Sequence, residues 1–201
     1  MTLLPRRAPA AVLDPIVRGL VAARVTPTMI TTAGFLGNVL AAWLAARGDL
    51  RLAGVAVLFF SALDMLDGAL ARATGRASRF GALYDSTLDR LSEAAVLGGL
   101  LWHAMQTGSD EQALLAFVAT VGSLMVSYVR ARSEGLGLAL RDGLFTRSER
   151  VVLVGVALIF GLSRAALWAL AVLTVLTAFQ RLWIASRALI AEDAAPPKEG
   201  R

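Results

Sequence analysis

The chain has 201 residues, 57% of them hydrophobic, and a formal net charge of +5. Its mean hydropathy of +0.65 is far above that of a soluble domain of this length, which excludes an ordinary water-soluble globule and leaves one helical integral-membrane domain. The absence of cysteine excludes disulfide and thiolate chemistry, and the sole histidine, His103, lies far in sequence from the acidic motif described below.

In chain order, residues 1–25 read as an N-terminal cytoplasmic segment. Its stretch 9–24 carries Arg18 and Arg24 and is expected to lie on the membrane surface as an amphipathic juxtamembrane helix. The arginines and prolines there leave no clean apolar core, so no signal peptide is expected. Six spans of roughly bilayer-crossing length then follow, near 29–46, 51–72, 83–106, 112–134, 149–163 and 166–187. Glycine-bearing or polar breaks separate them, and the fifth is the shortest. The expected membrane domain is 26–190, and the tail 191–201, with Pro196 and Pro197, is expected to be disordered.

Arginine placement orients these spans. Arg6, Arg7, Arg18 and Arg24 precede the first, and Arg76 and Arg79 follow the second. Arg130, Arg132, Arg141, Arg147 and Arg150 surround the junction of the fourth and fifth, and Arg181 and Arg187 end the sixth. The other side keeps only Arg47, Arg51 and Arg164. The positive-inside rule then puts both termini in the cytoplasm and makes the plasma membrane the expected location.

Into this apolar chain is set the pattern D-x-x-D-G-x-x-A-R, from Asp64 and Asp67 through Gly68, Ala71 and Arg72. After eight residues comes G-x-x-x-D-x-x-x-D, with Gly81, Asp85 and Asp89. The flanking runs 55–63 and 94–101 are strongly apolar, and ionised carboxylates are costly there unless a positive charge meets them. On a helix, Asp64, Asp67, Gly68, Ala71 and Arg72 fall within roughly 140° of one another. Asp85 and Asp89 are one turn apart on the next helix. Two adjacent antiparallel helices offering two carboxylates each would repel without hard, oxygen-seeking cations, so Mg²⁺ or Mn²⁺ is expected. The small residues at 68 and 71 leave a groove able to hold a nucleotide, with Arg72 beside it for a phosphate.

A second cluster is basic. Arg130, Arg132 and Arg150 stand near membrane depth at helix ends that face the same cavity, a setting suited to an anionic, phosphorylated second substrate. Arg141 and Arg147 read more simply as lipid-headgroup contacts.

The stretch from Asp64 to Asp89 resembles the signature of the CDP-alcohol phosphotransferases, every fixed position being present at unbroken spacing. The resemblance implies an all-α fold of six transmembrane helices with an N-terminal juxtamembrane helix, a homodimer, and two Mg²⁺ or Mn²⁺ ions per site. It also implies displacement of CMP from a CDP-linked lipid by an alcohol. By position, Asp64, Asp67 and Asp85 resemble ligands of both metals, and Asp89 a ligand of one as well as the general base. Gly68, Arg72 and Ser78 resemble residues that hold CDP-diacylglycerol, as does the stretch Pro27, Thr28, Met29, Ile30 and Thr31, where Thr28 replaces a common asparagine. The run Ser127-Tyr128-x-Arg130-Ala131-Arg132, followed by Gly143-Leu144-Phe145-x-Arg147-x-Glu149-Arg150, looks like the phosphatidylinositol phosphate synthases of actinobacteria. That likeness implies inositol phosphate as acceptor, its phosphate held by Arg130 (where lysine is usual), Arg150 and an arginine of the last span, Arg187 being favoured over Arg181. No nucleic-acid partner is expected. Two other readings stand beside it: glycerol 3-phosphate as acceptor, giving a phosphatidylglycerophosphate synthase, and a small ion transporter. The transporter has no need for the G-x-x-A-R element, and no paired repeat is visible.

Overall fold

A computed structural model describes the backbone of residues 10–140, 143 and 145–194, and the side chains of these except 10–14, 64 and 65. Seven helices make up its regular structure: α1 (Ala10–Ala22), α2 (Pro27–Ala46), α3 (Leu50–Ala73), α4 (Arg79–Gln106), α5 (Asp110–Gly135), α6 (Arg147–Ile159) and α7 (Ser163–Asp193). There is no strand among the described residues. Helices α2 to α7 run where the six spans are expected. The last continues through Asp193, past the expected domain end at 190, and residues 195–201 lie outside the described set.

Local chemistry sets the helix ends. Thr26 caps α2 by accepting the Met29 amide (3.3 Å), and Pro27 takes the first helical position, where its missing N–H costs nothing. Ser78 caps α4 by accepting the Gly81 amide (3.0 Å). At α6, Glu149 reaches back to the Thr146 amide (2.7 Å) and hydroxyl (2.8 Å). Gly75 (φ +64°) and Gly137 (φ +87°) end α3 and α5 in the left-handed conformation that glycine adopts without strain.

Among the described residues, four helices, α2, α3, α5 and α7, are long and apolar enough to cross a membrane. Helix α4 is the longest of those between α1 and α7, but Asp85, Asp89, Arg90 and Glu93 break its apolar character. Helix α6 has 13 residues, about 20 Å of rise against a hydrocarbon layer of about 30 Å. Large side chains point outward, Phe160 being 72% and Phe179 67% exposed, whereas the core is rich in small ones such as Ala41, Ala45, Ala53, Ala116 and Ala119. That inverts the usual soluble pattern and suits helices surrounded by lipid.

The packing corrects one expectation. Helices α3 and α4 scarcely touch each other; both lie along α2, while α6 packs on α3 and α7 on α5. The cause is the small-residue character of α2, which buries Gly34, Gly37, Asn38, Ala41 and Ala45. The Phe60 ring of α3 lies against Gly37, and Gly99 of α4 lies against the Ala42 backbone, neither glycine having room for a Cβ.

Candidate active site

Alternating helix direction brings one end of each helix from α2 to α7 to the same side of the bundle. That side holds the start of α2, the end of α3, the start of α4, the end of α5, the start of α6 and the end of α7. The aspartate motif therefore shares a face with the arginines of α5, α6 and α7, although these lie far along the chain from it.

Asp67 is 5% exposed on α3, and its Oδ2 accepts a hydrogen bond from Thr31 Oγ1 at 2.7 Å. Thr31 Oγ1 also lies 3.1 Å from the Pro27 carbonyl, so the first turn of α2 is keyed to the carboxylate. Across the gap, Thr32 Oγ1 meets the Tyr84 hydroxyl at 3.0 Å, tying α2 to α4, and Tyr84 stacks on Phe80. Asp85 and Asp89 are partly buried on α4, with Asp89 Oδ1 held by Arg147 Nη2 at 3.0 Å. The side chain of Asp64 lies outside the described residues. Among the described residues, no three acidic or histidine side chains converge closely enough to hold a metal. The donor set nonetheless suits a hard cation: carboxylates alone, on two helices held apart by a third, one of them buried and oriented by a hydroxyl.

Arg72 Nη1 lies over Gly68, where an added Cβ would stand 3.4 Å from it. Arg72, Thr28, Met29 and Ser78 are exposed, although the Ser78 hydroxyl is engaged as a helix cap. Ile30 faces the other way, packed with Val17 and Leu70 between α1, α2 and α3.

The basic residues separate into distinct settings. Arg130 is exposed and pairs with Glu134 at 2.9 Å on its own helix. Arg150 is 1% exposed and forms a two-pronged pair with Glu93 of α4, Nε to Oε1 at 2.6 Å and Nη2 to Oε2 at 2.8 Å. Arg181, 6% exposed, donates to the Val126 carbonyl at 2.9 Å and lies within electrostatic reach of Arg130 and Arg150. Its guanidinium packs on the Gly143 backbone so closely that a Cβ there would stand 2.5 to 2.9 Å from it. Arg187 is not brought into this group: it is exposed over the Trp183 ring at 4.9 Å, about 120° round α7 from Arg181. Arg141 and Asp142 lie outside the described residues.

Behind the Asp89–Arg147 pair, a small cavity lies between α2, α3, α4 and α6. Asn38, Ser61, Ser92, Glu93, Arg147 and Arg150 form its polar wall, and valines with Leu97 form the other. Glu93, Thr32 and Tyr84 were not singled out from sequence. Glu93 alone had a signal, as the i+4 continuation of Asp85 and Asp89.

Comparison with known proteins gives a consistent picture. Residues 24–180 match the family model described as CDP-alcohol phosphatidyltransferase. The phosphatidylinositol phosphate synthase of Mycobacteroides abscessus is 39% identical over 189 residues, covering 90% of this chain and 86% of that one. A crystal structure of the Mycobacterium tuberculosis phosphatidylinositol phosphate synthase with CDP-DAG bound is similar with a TM-score of 0.82 at 34% identity, covering 96% of this chain and 98% of that one. A second structure of that enzyme, in complex with manganese and citrate, gives a TM-score of 0.78 at 34% identity, covering 94% and 92%.

Proposed function

The chain belongs to the CDP-alcohol phosphatidyltransferase family, and on that premise we propose that it is a phosphatidylinositol phosphate synthase. It moves the phosphatidyl group of CDP-diacylglycerol to inositol phosphate and releases CMP. The observation that carries this reading is the meeting, on one side of the bundle, of the aspartate motif with the arginines of α5, α6 and α7. Relatives named for this activity, at identities up to 39%, support the acceptor.

Asp64, Asp67, Asp85 and Asp89 are the residues that would hold two divalent cations, Mg²⁺ or Mn²⁺. When bound, such ions neutralise the pyrophosphate and stabilise the departing CMP. The remaining work falls to the chain. Gly68 and Arg72, with Pro27, Thr28, Met29 and Ser78, cradle the CDP part; in the same segment the buried Thr31 acts through Asp67, and Ile30 supports the turn from behind by packing on Val17 and Leu70. Arg130, Arg150 and an arginine of α7 bind the acceptor's phosphate: Arg187 by the family likeness, Arg181 by its burial beside the other two. Asp89 takes the proton of the acceptor hydroxyl as that oxygen attacks the β-phosphorus. The bond from this phosphorus to the bridging oxygen breaks, and CMP leaves without a covalent enzyme intermediate.

In this reading the chain crosses the plasma membrane six times with α1 on the cytoplasmic surface, the arginine distribution supports a cytoplasmic position for this side of the bundle, and the family likeness supports a homodimer. The test is CMP release by purified protein with CDP-diacylglycerol and Mg²⁺, given inositol phosphate, inositol or glycerol 3-phosphate in turn. Release with inositol phosphate alone is expected. Release with glycerol 3-phosphate alone would overturn the acceptor while keeping the metal chemistry.

A further inference from the structure

Helices α4 and α6 are joined by two stepped ion pairs. Asp89 meets Arg147, and one turn deeper Glu93 meets Arg150. The deeper pair is the more enclosed, with side-chain exposures of 10% for Glu93 and 2% for Arg150. Arg150 spends Nε and one Nη2 hydrogen on Glu93, and one Nη1 hydrogen on the Phe145 carbonyl at 3.2 Å. One N–H on each of Nη1 and Nη2 is therefore left over, and Arg150 lines the same cavity as Arg147, the partner of Asp89.

A two-pronged contact fixes the plane of a guanidinium, which a single contact does not. It also cancels most of the charge that an incoming anion would feel, so Arg150 recognises by direction more than by net charge. Without Glu93, a buried guanidinium would be an uncompensated charge and would turn toward any available oxygen.

We propose that Glu93 is a positioning residue for the acceptor: it aims the two remaining N–H groups of Arg150 at the acceptor's phosphate and does not touch the substrate itself. This rests on the acceptor pocket assigned above. Glu93 works only through Arg150, so the two residues should behave as one unit.

The experiment measures CMP release while acceptor and CDP-diacylglycerol are titrated separately, for wild type, Glu93→Gln, Arg150→Met and the double variant. Thermal stabilisation by inositol phosphate or glycerol 3-phosphate alone gives a readout that needs no turnover. Glu93→Gln is expected to raise the acceptor KM about tenfold or more and to abolish acceptor-induced stabilisation. The KM for CDP-diacylglycerol should stay within about twofold. Glu93→Asp, one methylene shorter, should not restore the two-pronged contact. In the Arg150→Met background, Glu93→Gln should change nothing further.

An unchanged acceptor KM, equal changes for both substrates, or additive effects in the double variant would overturn the proposal. Should Glu93→Gln fail to accumulate, Arg150→Met alone against the double variant still decides, because neither retains the buried guanidinium. A wild type that uses glycerol 3-phosphate sinks the acceptor reading but not this one, and the series is then run with that acceptor.

Discussion

Thr31 Oγ1 donates to Asp67 Oδ2 at 2.7 Å, joining the first turn of α2 to the buried carboxylate of α3. This stretch of α2 carries two duties at once, since Thr31 belongs to the segment assigned to CDP-diacylglycerol and also orients a proposed metal ligand. Groups that orient metal ligands typically contribute 10- to 100-fold in metal affinity. Thr31→Val keeps the shape and removes the hydroxyl. The Mg²⁺ or Mn²⁺ concentration for half-maximal CMP release should then rise about tenfold. An unchanged metal requirement would show that Asp67 needs no such support.

Asp89 is assigned both a metal and a proton. Asp89→Asn retains an oxygen but cannot take the hydroxyl proton, and CMP release should fall by about 10²-fold or more. Wild-type turnover in this variant would remove Asp89 from the proton-transfer role.

The two arginines of α7 make opposite predictions. Arg181 is buried against Gly143 and close to Arg130 and Arg150, whereas Arg187 stacks outward on Trp183. Arg181→Gln should raise the acceptor KM about tenfold, and Arg187→Gln less than about threefold. Gly143→Ala, which presses on the Arg181 guanidinium, should follow Arg181→Gln in direction. The reverse order would return the phosphate contact to Arg187.

Packing can be tested separately from chemistry. A Cβ on Gly99 would collide with the Ala42 carbonyl of α2. Gly99→Val should therefore cost about 3 kcal/mol and lower the melting temperature of the detergent-solubilised protein. A melting temperature equal to wild type would mean that α2 and α4 separate without penalty.

Much of this architecture is written in hydropathy. The apolar runs give α2, α3 and α5 to within about two residues, because lipid-facing helices must be apolar along their length. Other ends deviate further: α4 starts at Arg79, four residues before the expected 83, because Ser78 caps it in a polar turn that hydropathy does not register, α6 stops at Ile159, and α7 runs from Ser163 to Asp193. The aspartate pattern was visible because carboxylates in apolar sequence are conspicuous. The partnership of Glu93 with Arg150 was not, since 57 residues separate them and only the meeting of two helix faces pairs them. For the same reason the separation of α3 from α4 was missed, as helices consecutive in sequence suggest direct contact.

That separation makes α2 a ruler for the catalytic chemistry. Its thickness, set by glycine and alanine, fixes how far Asp67 of α3 stands from Asp85 and Asp89 of α4. A bulkier side chain at Gly34 or Ala41 would widen the gap by a fraction of an ångström without touching an oxygen atom. On the proposed metal assignment, ions of different radius would sense that change unequally, and the preference between Mg²⁺ and Mn²⁺ would be adjustable from the middle of a helix that bears no charge at all.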